Sequence, residues 1–220
     1  MASDLDARAG RLRRSFNLLA PVYDMLFYVT SEEIWEAALS LLQPQEGERI
    51  LDAGCGTGRL LIALSQLVGA QGSVEGVDVS PAMCRQAERQ IALAAHPSQI
   101  SVAPGDARRL PFPDASFDGA LSALTLELLP QGQTEAALRE LARVVRPGGR
   151  IVVASLADAV TVDRQLQYYE LLRLILPFAW FGRPIALRRL ARDAGLLPRI
   201  AMRREFMRLP IDVLLIGVPE

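Results

Sequence analysis

The sequence predicts an α/β fold, a mostly parallel sheet with helices on both faces. Short β-rich runs alternate with helical runs through most of the chain, and their spacing fits βαβ units. The tail departs from this alternation with two consecutive strand-like runs.

Ile50 to Ala53 reads as a short buried strand and Leu60 to Val68 as a helix. Ser73 to Val77 is strand-like. Pro81 to Ala95 is helical, opened by Ser80 as N-cap with Pro81 at the first helical position. Gln99 to Ala103 and Phe117 to Ala123 are the third and fourth strands. Thr134 to Val145 is an amphipathic helix closed by Pro147, Gly148 and Gly149, and the Val-rich run Ile151 to Ser155 is a fifth strand. Arg199 to Met207 and Ile211 to Val218, separated by Leu209-Pro210, form a closing hairpin, which allows an antiparallel last strand. Residues 1–45 are helical and precede the first strand. Residues 156–195 exceed one crossover, so both segments can cap the carboxyl edge of the sheet, where open α/β folds bind ligands.

The 220 residues suit one domain, or one plus a small cap. Half are hydrophobic and 22% are charged, enough for a large core. The 24 basic residues, all Arg, meet 25 acidic ones, a balance unlike that of a plainly basic nucleic-acid binder. Without Lys there is neither Schiff-base chemistry nor a Walker loop. Two Cys make no disulfide framework, and one His excludes an HExxH metal site; no metal is expected. The opening MASDLDARAGRLRRSF lacks the apolar region of a secretory signal, and Leu171 to Phe181 falls short of the ~20 residues that span a bilayer. A soluble, cytoplasmic protein is expected.

The functional signal starts at ILDAGCGTG, Ile50 to Gly58. A buried strand runs into Gly54, Gly56 and Gly58, and a helix follows. Glycine admits positive φ and lets a ligand approach the backbone. The spacing is GxGxG, not the GxGxxG of a dinucleotide loop. Asp52 beside the loop would repel a phosphate and attract an ammonium group. Asp78, in VEGVDVS, ends the second strand 20 residues after Gly58, where a carboxylate can accept both ribose hydroxyls. Asp106, in GDARRLPF, follows the third strand. Alone it reads equally as a turn residue or a ligand contact; as the third acid at successive strand ends it gains weight as a contact.

ILDAGCGTG, VEGVDVS, GDARRLPFPDASFDGALSAL and LARVVRPGGRIVVAS resemble the successive motifs of class I S-adenosylmethionine-dependent methyltransferases. Ser15 to Phe27, SFNLLAPVYDMLF, is similar to the N-terminal motif of the group containing the ubiquinone/menaquinone-biosynthesis C-methyltransferases. The resemblance implies a Rossmann-like, seven-stranded, mostly parallel sheet with the last strand antiparallel. It implies one domain: an N-terminal helical cap (1–45), a cofactor-binding core (46–155), a substrate cap segment (156–195) and a closing hairpin (196–220). It also implies S-adenosylmethionine as cofactor and S-adenosylhomocysteine as product. Asp52, Gly54, Cys55 and Gly56 would line the methionine moiety, with Ser122 at its end. Asp78 would hold the ribose, Val79 would flank the adenine, and Asp106 and Ala107 would meet the adenine edge. Tyr23 would close over the cofactor.

Methyl transfer from a sulfonium is an in-line displacement, so orientation does most of the work, and no residue stands out as a general base. His96 follows a helix and belongs at the amino edge, remote from the cofactor, where it suits the helix dipole. Glu127 is better placed, but it reads first as a helix-surface residue. Tyr28, Tyr168, Tyr169 and Glu170 read as packing before chemistry, as does Cys84. The apolar run Leu171 to Phe181 is core, a pocket wall or a membrane-touching face. Eight Arg between Arg183 and Arg208, and a second cluster of Arg8, Arg11, Arg13 and Arg14, are solvated faces or a basic surface. Together these suit a small-molecule acceptor, lipid- or quinone-like, with peripheral membrane contact and no nucleic acid. A non-catalytic cofactor-binding protein and a nicotinamide oxidoreductase are the alternatives.

Overall fold

The computed structural model describes all residues except 1–9, 11–12, 22, 95–98, 131, 159–166, 168, 172–181 and 207. His96, Tyr168 and the apolar run from 172 to 181 therefore lie outside the described residues.

After a helical stretch at 13–19, α1 spans Tyr23–Leu42. Its buried residues Ile34, Ala37, Ala38, Leu41 and Leu42 follow helical spacing and form the face laid over the sheet. Then come β1 (Arg49–Ala53), α2 (Arg59–Val68), β2 (Ser73–Asp78), α3 (Pro81–Ile91), β3 (Ile100–Pro104) and β4 (Phe117–Ala123). A 3-10 turn (Leu126–Leu128) precedes α4 (Thr134–Val144), β5 (Val145–Leu156), α5 (Leu187–Asp193), β6 (Leu197–Phe206) and β7 (Leu209–Gly217).

The seven strands lie in the order β3-β2-β1-β4-β5-β7-β6. β1 to β5 pair in parallel, and β7 runs antiparallel between β5 and β6. One apolar core joins α1, α2 and α3 to one face; the other joins α4 and α5 to the opposite face. The sheet is mostly parallel, covered on both faces, with the last strand antiparallel, as the motifs implied. No helix among the described residues is long and apolar enough to cross a membrane.

Several boundaries differ from the sequence reading. α3 ends at Ile91, not Ala95: residues 92–94 turn, with Leu93 88% exposed, to return the chain to β3. Pro147, Gly148 and Gly149 do not form a cap after α4. They belong to the irregular start of β5, where Phe117 pairs with Val145 and Gly119 with Arg150 across a register shift. Leu209-Pro210 opens β7, and the hairpin turns at Arg208 (φ 64).

The strand order reverses direction around β1, which has β2 on one side and β4 on the other. At such a point the crossovers leave in opposite directions and open a crevice at the carboxyl edge. The ends of β1, β2 and β4 place Asp52, Asp78 and Ser122 along that edge.

Candidate functional site

β1 is buried along its last four residues, Asp52 included. Asp52 is only 2% exposed and has no hydrogen-bond partner among the described residues. Burial first, and then the charge of Asp78, push its carboxyl up to about 7. Its cross-strand neighbours are Gly76 and Leu121. Gly76 leaves space that Cys55 fills: a Cβ there would stand 2.9 Å from Cys55 Sγ. Burial, then Asp52 and Asp78, push the Cys55 thiol up, so it is no ready nucleophile.

The glycine loop is hung on β2. The Gly54 and Cys55 amides both donate to the Val77 carbonyl, at 2.7 and 3.1 Å. The Gly56 amide donates to Asp78 Oδ2 at 3.0 Å, and the Ser80 amide to Asp78 Oδ1 at 2.8 Å. Burial raises the Asp78 carboxyl, while these two amides hold it back. Gly54 adopts φ 93, and a Cβ on it would meet Thr125 Oγ1 at 2.1 Å. The loop after β1 thus rests directly on the loop after β4. Ser80 caps α3 as expected, accepting from the Met83 amide at 3.2 Å.

The N-terminal segment closes onto this loop through residues the sequence reading did not single out. Asp24 Oδ1 accepts from Thr57 Oγ1 at 2.6 Å, Asp24 Oδ2 accepts from Gln90 Nε2 at 2.6 Å, and Arg59 lies 3.3 Å away. Asn17 Oδ1 accepts from Ser80 Oγ at 2.7 Å and from the Ala82 amide at 3.2 Å. Between them, at the start of α1, burial and then the charges of Asp78, Glu127 and Asp24 raise the Tyr23 phenol above its ordinary value. Tyr23 therefore lies within electrostatic reach of both sides of the crevice.

Glu127 corrects the sequence reading. It is not on a helix surface but 5% exposed, in the 3-10 turn after β4. Ser155 Oγ donates to its Oε2 at 2.9 Å, and the Arg183 amide donates to its carbonyl at 3.0 Å. Gly182 packs against its side chain, and Tyr169 donates to the Gly182 carbonyl at 2.7 Å. Burial pushes the Glu127 carboxyl up to about 7 against the hydrogen bonds that lower it.

Asp106 stands after β3, clamped by Arg108: the Nε reaches both oxygens at 2.9 and 3.0 Å, and the Arg108 amide reaches Oδ1 at 2.9 Å. Partial burial opposes its charge, but Arg108 outweighs that and holds the carboxyl below its ordinary value. This clamp fixes the turn that carries buried Ala107. Val79, half-buried, follows Asp78. Ser122 is fully buried, and its hydroxyl donates to the Ala53 carbonyl at 2.8 Å. It ties β4 to the root of the glycine loop.

The arrangement asks for a cation. The Asp52 carboxyl is buried within reach of the charge of Asp78, and a positive group beside it would offset both penalties. Asp78 offers acceptor oxygens beside it, and the loop offers bare backbone. Among the described residues no cluster of His, Cys, Asp and Glu is arranged to hold a metal.

A family model described as a methyltransferase domain matches residues 50–149. The chain is 31% identical over 183 residues to the demethylmenaquinone methyltransferase of Desulfitobacterium hafniense, covering 80% of this chain and 72% of that one. It is 33% identical over 180 residues to the demethylmenaquinone methyltransferase of Geobacillus kaustophilus, covering 80% and 75%. Among solved structures, a SAM-dependent methyltransferase from Aquifex aeolicus superposes with a TM-score of 0.64 at 21% identity, covering 96% of this chain and 98% of that one.

Proposed function

This chain belongs to the class I S-adenosylmethionine-dependent methyltransferases, beside the demethylmenaquinone methyltransferases, and from that premise we propose that it methylates a quinone-like lipid acceptor. The observation that carries the cofactor assignment is Asp52: a buried carboxylate without a hydrogen-bond partner among the described residues, next to Asp78, at the strand end that enters the glycine loop.

When bound, the cofactor supplies a methyl group on a positively charged sulfur, already activated for displacement. Asp52 would hold the cationic methionine end, with Gly54, Cys55 and Gly56 presenting backbone along it and Ser122 fixing the strand beneath. Asp78 would accept the ribose hydroxyls on the lone pairs left by Gly56 and Ser80. Val79 would flank the adenine and the Ala107 amide would meet its edge. Arg108 takes up much of the acceptor capacity of Asp106, so Asp106 would act on the adenine chiefly by fixing this turn. Tyr23 would close the crevice and exclude water. With donor and acceptor aligned, orientation is worth up to ~7–11 kcal/mol.

The acceptor reading rests on the curated relatives, whose names specify demethylmenaquinone. The two free thiols support a cytoplasmic location. The oxidoreductase alternative is disfavoured by the GxGxG spacing and by Asp52 at the loop, where a pyrophosphate would be repelled. A radiolabelled methyl-transfer assay with reduced demethylmenaquinone analogues of different tail lengths tests the proposal. Labelled product with quinol acceptors supports it. Methylation of small amines alone would replace the acceptor class, and NADH binding without S-adenosylhomocysteine binding would refute the cofactor.

A further inference from the structure

The charge of this chain is unevenly distributed. Residues 183–208 carry eight arginines and two acids, while the remainder carries 16 arginines and 23 acids. A chain with net charge -1 therefore concentrates a net +6 in 26 residues and leaves -7 elsewhere. The fold gathers part of that charge around one concavity of about 480 Å³, where Arg188, Arg189 and Arg192 of α5 face Arg203 of β6, with Asp158 and Asp212 on its lining.

Asp212 is committed to Arg203, at 2.9 Å from its Nη2. Arg189 has only a loose contact with Asp193 at 3.6 Å, and Arg188 and Arg192 form no ion pair among the described residues. β6 is an edge strand, and arginines on it blunt pairing with other chains. That reason does not extend to the three on α5, which sit off the strand. Arg203 pairs in register with Asp212, and Asp212 with Ser155 near the carboxyl end of β5. The Arg203–Asp212 wall of the groove therefore lies toward the same sheet edge as the Asp52–Asp78 crevice. Guanidinium groups bind phosphate oxygens with paired, planar hydrogen bonds and are easily dehydrated.

We propose that the arginine groove between α5 and β6 docks this protein on an anionic phospholipid surface through lipid phosphates. Docked so, the carboxyl edge of the sheet faces the bilayer that dissolves a lipid acceptor. The purpose of the groove builds on the quinone reading, but its test does not, because binding is read without cofactor or acceptor.

The test is co-sedimentation of the full chain with vesicles of phosphatidylcholine alone and of phosphatidylcholine with about one third phosphatidylglycerol, over a salt series. Binding to the anionic vesicles only, weakening as the Debye length shrinks below ~10 Å, is expected. The variant R188Q/R189Q/R192Q should lose roughly 100-fold in partition, about fivefold per arginine. The charge-matched variant R85Q/R89Q/R139Q, on α3 and α4, should stay within about twofold of the parent. Unchanged circular dichroism and S-adenosylhomocysteine binding would show that the triple variant is folded. Equal binding to neutral vesicles, equal loss in both variants, or no vesicle binding would overturn the proposal. So would competition by inorganic phosphate at constant ionic strength, which marks a free-anion site, or binding to a polyribonucleotide in place of vesicles.

Discussion

Asp78 Oδ2 accepts the Gly56 amide at 3.0 Å, so the carboxylate assigned to the ribose is also the anchor of the glycine loop. Removing it loosens the loop as well as deleting a ligand contact. Asp78→Ala is expected to weaken S-adenosylhomocysteine binding by ~1.5–3 kcal/mol, the range for hydrogen bonds to a charged group. Isothermal titration calorimetry checks this; unchanged affinity removes the ribose assignment.

Two carboxyls raised to about 7 set a pH dependence. Asp52 moves from an ordinary 3.8 to about 7, and Glu127 from 4.5 to about 7. Between the ordinary and raised values the folded chain holds protons that the unfolded chain has released. Stability without ligand therefore falls as pH rises from about 4 to about 7 and levels off above it. A cation beside Asp52 favours the carboxylate, so S-adenosylmethionine affinity should rise with pH below 7, approaching tenfold per unit, and flatten above. Urea denaturation and calorimetry from acidic to mildly alkaline pH would show both trends. Asp52→Asn should abolish the second, and Glu127→Gln should reduce the first while leaving the second in place.

Gly54 is required twice, by φ 93 and by Thr125 at 2.1 Å from a would-be Cβ. Gly54→Ala is expected to destabilise by about 2–5 kcal/mol, combining left-handed strain with overpacking. Gly132 has φ 78 but nothing within 4 Å of a Cβ, so Gly132→Ala should cost only ~1–2 kcal/mol. Chemical denaturation compares the two, and equal losses would show that contact with Thr125 is unimportant.

Asp24 fastens α1 to Thr57 in the glycine loop and to Gln90 on α3. Asp24→Ala leaves both donors without their acceptor. It should weaken cofactor binding by ~1–3 kcal/mol and increase protease cleavage near residues 13–24. An unchanged cleavage pattern would show that the N-terminal segment is held by apolar packing.

The parts legible in the sequence are those written locally. A strand running into glycines, an acid at each strand end and a Ser-Pro helix start each occupy a few consecutive residues, and β1, β2, α2 and the cap of α3 follow them closely. The rest depends on partners far along the chain. Asp24 meets Thr57 and Gln90, 33 and 66 residues away, and no local pattern shows that. Glu127 sits in a stretch without strand or helix period, and its burial comes from Ser155 and from Gly182, on a segment that returns much later. Ala92 and Leu93 continue the helical composition of α3, but the return to β3 decides where the helix stops.

A crystal structure grown with S-adenosylhomocysteine tests the central claim most directly. The expected result is a nucleoside along the carboxyl edge of β1 and β2, its ribose hydroxyls on Asp78 and its ammonium group against Asp52. A nucleoside bound elsewhere, with Asp52 still unpaired, would contradict it.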